Sequence, residues 1–269
     1  MLLGRVPPPP LSSFVELLWY AAWWKPAHAR ERHMPDGSVG IVILLGDGGA
    51  ARPEAAMVAG ARSEAVFLDT SRPTTVMGVH FRRGAAGPFL DVPLSALTNT
   101  HAALGDVAGG GSLRLRQGCG ATSLRDRVLD AVEPEARLDV LQQWLMQRLL
   151  RSPDRDPAIA WAVRQFEHQP HIRISAVADQ IGRSSRWFVE RFNSEVGLTP
   201  KVFSRVRRFQ LALRHMHEAA TVDLADLAAA TGYFDQAHFT HDFRSIAGIT
   251  PTAYVAARTE HHNHVAIRE

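Results

Sequence analysis

The feature that most restricts how this 269-residue chain can fold is a passage that it contains twice. The text ADQIGRSSRWFVERFNSEVGLTPKVF, from Ala178 to Phe203, returns as AAATGYFDQAHFTHDFRSIAGITPTAY, from Ala228 to Tyr254. Phe188, Phe192, Gly197, Thr199 and Pro200 recur 51 residues later as Phe239, Phe243, Gly248, Thr250 and Pro251. Ala178 and Gly182 recur 50 residues later as Ala228 and Gly232, so the second copy carries one extra residue in its turn. An internal match of this kind points to one supersecondary unit used twice.

Each copy reads as a helix, a tight turn and a second helix. Val177, Ala178 and Ile181 share one helical face, and Gly182 stops that helix. Ser184 can cap the next helix by accepting a bond from a free backbone N–H. Phe188 and Phe192 are four apart and point together into a core. Ser185, Arg186, Val189 and Glu190 are left on or near the outer face. In the second copy Asp235 is the cap and Phe239 and Phe243 are the core pair, while Gln236, Ala237, Thr240 and His241 face outward. An outward-facing second helix in such a pair is the element that enters a DNA major groove. Arginine suits guanine and glutamine suits adenine, so Arg186 and Gln236 are expected to read bases. His241 is expected to add a contact that depends on its protonation near neutral pH.

Between the copies, Val202, Val206, Phe209, Leu213 and Met216 form one helical stripe from Lys201 to roughly Ala219. Such a helix is about 28 Å long and could hold two reading helices about one DNA turn apart. Arg205, Arg207 and Arg208 begin it. Singly, each would pass for solvated helix surface. From Arg183 to Arg214, however, eight basic residues stand against Glu190 and Glu195, a local net of +6. That clustering favours a surface facing phosphates, with Arg205 and Arg207 as positioning charges.

The segment from about Asp156 to Ala256 resembles the DNA-binding domain of the AraC/XylS family of bacterial transcription regulators. The resemblance is carried by Ala178, Gly182, Ser184, Phe188, Phe192, Gly197, Thr199-Pro200, Arg205 and Arg207. In the second copy, Ala228, Gly232, Phe239, Phe243, Gly248 and Thr250-Pro251 carry it. It implies sequence-specific DNA binding. It also leaves room for one of Arg205 and Arg207 to make an internal structural pair.

The first half has a different texture. Pro7 to Pro10 impose an extended entry, and Leu11 to Tyr20 reads as a short helix or strand with Ser12 or Ser13 as a cap. Trp19, Tyr20, Trp23 and Trp24 are read as core and rim packing. Pro35-Asp36-Gly37 is a turn before the strand Ser38–Leu45, and Ala56–Gly60, Glu64–Leu68 and Thr74–Phe81 are further strands. Short strands separated by turns suggest an antiparallel barrel or sandwich. Residues 81–87 form a loop and 89–104 an irregular segment. Helices follow over 122–132 and 134–150. In the second, Leu138, Leu141, Leu145 and Leu149 make one apolar face, with Val140 and Trp144 on another. This half resembles the sensor-like N-terminal domain found on a subset of AraC-type regulators. The carriers are Pro35-Asp36-Gly37, Gly78-Val79-His80-Phe81-Arg82 and Val92-Pro93-Leu94 with Leu97-Thr98, and Arg83 stands where a proline is expected. The resemblance implies a regulatory domain and names no ligand.

Candidate chemistry is sparse. His28, His33, His80 and His101 with Asp36 could ring a metal, yet no pair has tight ligand spacing. His261, His262 and His264 read as part of a solvated, disordered tail. Cys119 is the only cysteine, which forbids an internal disulfide. The run GDGG at 46–49 lacks the lysine and helix of a phosphate loop. Neither a catalytic residue nor a cofactor is expected. No apolar stretch is long enough for a signal peptide or a membrane span, so a cytoplasmic location without membrane contact is expected.

The expected fold is α+β. Residues 1–150 form a mainly β, barrel-like (cupin-like) regulatory domain with a helical tail that self-associates through Val140 and Trp144. Residues 151–157 are a linker, residues 158–256 an all-α domain with two helix-turn-helix units, and residues 257–269 a tail. The expected DNA-binding residues are Ser184, Ser185, Arg186, Glu190, Arg205, Arg207, Gln236, Ala237, Thr240 and His241. Double-stranded DNA is the expected partner. A small-molecule effector, a second copy of the chain and, for an activator, RNA polymerase are further candidates. The alternative is a cupin-type, metal-dependent enzyme domain fused to a DNA-targeting module.

Overall fold

The computed structural model describes residues 1–24, 28–46, 56–108, 124–151 and 155–267. Cys119, the glycine runs at 47–49 and 109–111, and part of the expected linker lie outside the described residues.

The N-terminal half is built from β1 (Leu2–Arg5), β2 (Val15–Trp24), β3 (Arg30–His33), β4 (Gly40–Gly46), β5 (Ala56–Ala59), β6 (Val66–Asp69), β7 (Thr74–Phe81) and β8 (His101–Ala103). Among the described residues, one sheet has the order β1-β2-β7-β4-β5-β8, with every pairing antiparallel. Period-two alternation decides its inner face. Leu18, Ile41, Ile43, Val58, Met77 and Phe81 are fully buried. Helices α1 (Leu104–Val107), α2 (Leu124–Asp130) and α3 (Pro134–Leu149) follow, and Leu138, Leu141 and Leu145 of α3 join the same core. Each such leucine contributes about 1.5–3 kcal/mol through removal from water, which is what holds α3 on the sheet.

One expectation in this half needs correction. Leu11–Ser13 is only a short 3-10 turn without a side-chain cap, and the strand runs on from Val15 to Trp24. It extends because β1 and β7 flank it and take up its backbone hydrogen bonds. Val140 and Trp144 do not stand free: both are half-buried and pack against the core, and the Arg148 guanidinium lies 5.4 Å over the Trp144 ring.

The C-terminal half is helical: α4 (Pro157–His168), α5 (Ile174–Ile181), α6 (Ser185–Val196), α7 (Pro200–Glu218), α8 (Leu224–Ala230), α9 (Gln236–Ala247) and α10 (Pro251–Ala257). The chain then returns to the first half. β9 (His264–Ala266) pairs antiparallel with β3, giving a second sheet of order β6-β3-β9. The expected disordered tail is therefore ordered as far as Ala266, turning back through residues 259–263 into β9. The edge of β3 has unpaired backbone groups that a strand can satisfy. The two sheets wall a cavity of about 1900 Å³. Leu17, Trp19, Val42 and His80 line it from the larger sheet, and Glu31, His33, Val66 and Leu68 from the smaller.

Candidate nucleic-acid interface

The local chemistry read from the duplicated text is realised in both copies. Gly182 ends α5 at φ 70°, a left-handed position that a side chain would strain. Ser184 caps α6, its hydroxyl accepting from Trp187 N at 3.2 Å. Asp235 caps α9 in the same way, accepting from His238 N at 2.7 Å. Thr199 and Thr250 cap α7 and α10, each followed by a proline at the first helical position. Each such cap contributes about 1 kcal/mol, and together they fix where the helices start.

Phe188 and Phe192 are fully buried, as are Phe239 and Phe243, so the opposite face of each second helix is turned out. On α6, Ser185, Arg186, Val189 and Glu190 are exposed; on α9, Gln236, Ala237 and His241 are exposed and Thr240 partly so. Ser184 is exposed at the head of α6. Arg186 Nε donates to Glu190 Oε1 at 2.9 Å across one helical turn. At the water-exposed surface such a pair is weak, so it can open for a base edge or phosphate at little cost. Arg183 adds charge beside this face, its guanidinium 5.4 Å over the Trp187 ring.

Arg207 is buried and does not stand on this surface, and Arg205, partly exposed, is engaged in an internal pair. Arg205 pairs with Asp242 of α9 and bonds the Ser245 hydroxyl. Asp242 is only 7% exposed, and its other oxygen accepts from Tyr233 Oη at 3.0 Å. Burial and the Asp242 carboxylate push the Tyr233 hydroxyl above the usual tyrosine range, so it stays a donor. Arg207 is 5% exposed and points the opposite way, towards the Asp36 carbonyl at 3.4 Å. Burial, with Arg83 nearby, pulls its pKa down to about 10. The reason lies outside the helix: the Pro35-Asp36-Gly37 turn covers that side of α7. Gly37 adopts φ 79°, and a β-carbon there would sit 3.4 Å from the Phe203 ring. Gln210, one turn on from Arg207, donates to Pro35 O at 2.7 Å and to Asn263 Oδ1 at 2.8 Å. Near the start of α7, Lys201 is exposed, and Arg208 is partly exposed and 5.0 Å over the Tyr233 ring.

Of the histidines singled out as candidate ligands, His80 is engaged apart from His28, His33 and His264, which gather around Glu31. His80 Nε2 lies 3.1 Å from Asp36 Oδ2, and Arg83 lies 3.5 Å from the same oxygen. His28 Nε2 lies 3.0 Å from Glu31 Oε2, and His264 pairs with the other Glu31 oxygen. His33 packs edge-on to His264 at 4.9 Å. Among the described residues, no three His, Cys, Asp or Glu side chains come together as a metal-holding group.

Sequence reasoning missed the buried Asp242. A signal was present: Asp242 stands 51 residues after Arg191, so an exposed basic position of the first copy becomes an acidic one in the second.

Comparison with known proteins finds a match at each end of the chain. Residues 177–257 match the model of a helix-turn-helix domain, and residues 5–103 match that of a domain of unknown function, DUF6597. The chain is 34% identical over 101 residues to the transcriptional activator NphR of a Rhodococcus species. That match spans 37% of this chain and 28% of the activator. Among solved structures, a probable AraC family transcriptional regulator from Rhodopseudomonas palustris CGA009 is 24% identical, covering 38% of this chain and 96% of its own, at TM-score 0.34. The DNA-binding domain of AdpA, solved in complex with a target DNA, is 26% identical over 38% of this chain and 88% of its own, at TM-score 0.33. ToxT from Vibrio cholerae covers 96% of this chain and 97% of its own at 9% identity and TM-score 0.41.

Proposed function

From the AraC-type helix-turn-helix domain at the C-terminal end of this chain, we propose that the protein is a sequence-specific, DNA-binding transcription regulator and not an enzyme. One observation carries the reading: α6 and α9 turn matched outer faces to solvent and are joined by the single helix α7, 19 residues long. A rod of that length, about 28 Å, suits two adjacent major-groove segments. Arg186 and Gln236 are assigned to base edges. Ser184, Ser185, Glu190, Ala237, Thr240 and His241 form the rest of the reading surface, with Arg183, Lys201 and Arg208 nearest the phosphates. Arg205 and Arg207 hold the domain together instead.

In this reading, residues 158–256 bind DNA, residues 1–150 regulate, and residues 151–157 link the two. The cavity between the two sheets is the candidate place for a small-molecule effector. Self-association through Val140 and Trp144 belongs to the same proposal, supported by Val132 and Leu150, which flank α3 and are exposed. Among the described residues, no helix is long and apolar enough to cross a membrane. A cytoplasmic regulator that contacts RNA polymerase when activating fits these features. Selection of duplexes from a random pool by the full chain tests the function. A recovered consensus of two short motifs about one turn apart is expected, and recovery of no consensus would refute the proposal.

A further inference from the structure

The two reading helices end against the same short stretch of the N-terminal half. At the end of α6, Gly197 O accepts from Thr98 Oγ1 at 2.6 Å, and a β-carbon on Gly197 would lie 3.2 Å from that of Ala61. At the end of α9, Ile246 O accepts from Ala65 N at 2.8 Å and Ala247 O from Arg32 Nη1 at 2.6 Å. The last carbonyls of a helix have no partner within it, so groups that capture them from outside fix the position of the helix end. Both readers are captured in this way. Four residue steps separate Ala61 from Ala65, so the strap between the two contacts is at most about 14 Å long.

The strap is also pinned along its length. Asn99 N donates to Ala61 O at 3.0 Å, and Ser63 N donates to Asn99 Oδ1 at 2.7 Å. Asn99 Nδ2 donates to Ser63 Oγ at 2.8 Å, and Arg62 Nη1 donates to Asn99 O at 3.1 Å. Asn99 sits at φ 56°, a left-handed conformation that asparagine tolerates better than most residues. One side chain thus holds the middle of a strap that packs against the end of α6 at Ala61 and bonds the end of α9 at Ala65, while its neighbour Thr98 bonds the end of α6.

We propose that Ala61–Ala65, pinned by Asn99, are positioning residues that set the relative placement of α6 and α9, and with it the separation of DNA segments the protein accepts. The proposal rests on the double-reader reading above. α7 joins the readers on one side and the strap closes the loop on the other. Two attachments remove the tilting freedom that a single rod leaves, so one separation binds without distortion while its neighbours strain the protein or the DNA.

The test uses the full chain and the two-part duplex obtained by selection, with the separation changed by one or two base pairs in each direction. The wild type should prefer its best separation by about tenfold or more. Inserting two glycines between Arg62 and Ser63 should flatten that preference to about twofold. Asn99→Gly should do likewise, since it keeps the left-handed backbone and removes the amide. Asn99→Asp keeps the acceptor for Ser63 N and should restore most of the preference. Binding to a duplex with one motif scrambled should be the same for all folded variants. An unchanged separation profile in either loosened variant, with its circular dichroism intact, would overturn the proposal and leave α7 as the sole spacer. Failure to select a two-part site would overturn the double-reader reading itself, and the strap's role with it.

Discussion

The two helix-turn-helix units share one sequence skeleton but are anchored by different chemistry. The first unit has no core of its own. Phe188, Phe192 and Val196 belong to one apolar cluster that runs on into Leu94, Leu97 and the inner face of the larger sheet. The second unit has a separate cluster around Phe209, Phe239, Phe243 and Tyr254, to which the first half and β9 add Met34 and Val265. Position 51 apart shows the same divergence. Arg191 is exposed and reaches Asp156 at 3.2 Å and Glu195 at 2.6 Å, whereas Asp242 is buried between Arg205 and Tyr233. The first unit is welded to the N-terminal half by apolar packing. The second is tied by polar groups: Arg32, Glu31, His264 and the β3–β9 pairing. Duplication conserves the caps and the phenylalanine pair because they make the motif. It leaves each unit free to acquire its own attachment.

The largest expected effect comes from the paired core deletions Phe192→Ala and Phe243→Ala. Each should cost about 3–5 kcal/mol. Phe192→Ala should lower the melting of the whole chain in one transition, because its core is shared with the larger sheet. Phe243→Ala should release the second unit first, visible as faster hydrogen exchange in α8–α10 than in β2–β7. Equal loss of protection in both regions would erase the distinction.

Arg205→Ala comes next. It strands a buried carboxylate, with a cost towards the lower end of the roughly 3–5 kcal/mol seen for broken buried pairs, since Arg205 is itself partly exposed. The melting temperature should fall while the salt dependence of DNA binding keeps its slope. A slope lower by about one unit would instead restore Arg205 as a phosphate contact.

Arg186→Ala on the first reader should cost roughly 1–3 kcal/mol on the selected site and relax preference at one position, with little change on random DNA. Gln236→Ala should do the same in the other motif. Equal losses on all sequences would mark either residue as a phosphate contact.

The smallest effect concerns pH. Burial, with His264 alongside, lowers the His33 pKa to about 4. A histidine held neutral in the fold but free to protonate when unfolded makes stability fall as pH drops from about 6.5 towards 4. Glu31 is buried, which disfavours its charge, but hydrogen bonds from His264 and His28 outweigh this and hold it below the usual carboxylate range. Its contribution is present above the usual carboxylate range and is lost only as pH falls below it, at the acid end of this window and beyond. His80, raised despite its burial by bonding to Asp36, works in the opposite direction. The melting temperature should drop by several degrees across this window in the wild type and by less in His33→Gln. The loss should appear first around β9 and the second unit, and a uniform loss would count against the polar tie.

What could be read in the sequence was what local rules decide. Caps at Ser184 and Asp235, the end of the helix at Gly182, the phenylalanine pairs and the outer faces of α6 and α9 follow from spacing alone. Thr74–Phe81 and the start of α3 at Pro134 were legible for the same reason. The inward turn of Arg205 and Arg207 was not, because a helix does not say what will cover it: Asp242 lies 37 residues from Arg205, and Asp36 lies 171 from Arg207. β9 was hidden within a histidine-rich tail, since its partner β3 is more than 200 residues away. The capture of the α6 end by Thr98 and of the α9 end by Ala65 and Arg32 depends on several such distant contacts at once.

Hydroxyl-radical footprinting of the full chain on its selected duplex tests the central claim most directly. Two protected segments on one face of the DNA, about one helical turn apart and both lost at equal protein concentration, are the predicted result. A single protected segment per bound molecule would contradict the account.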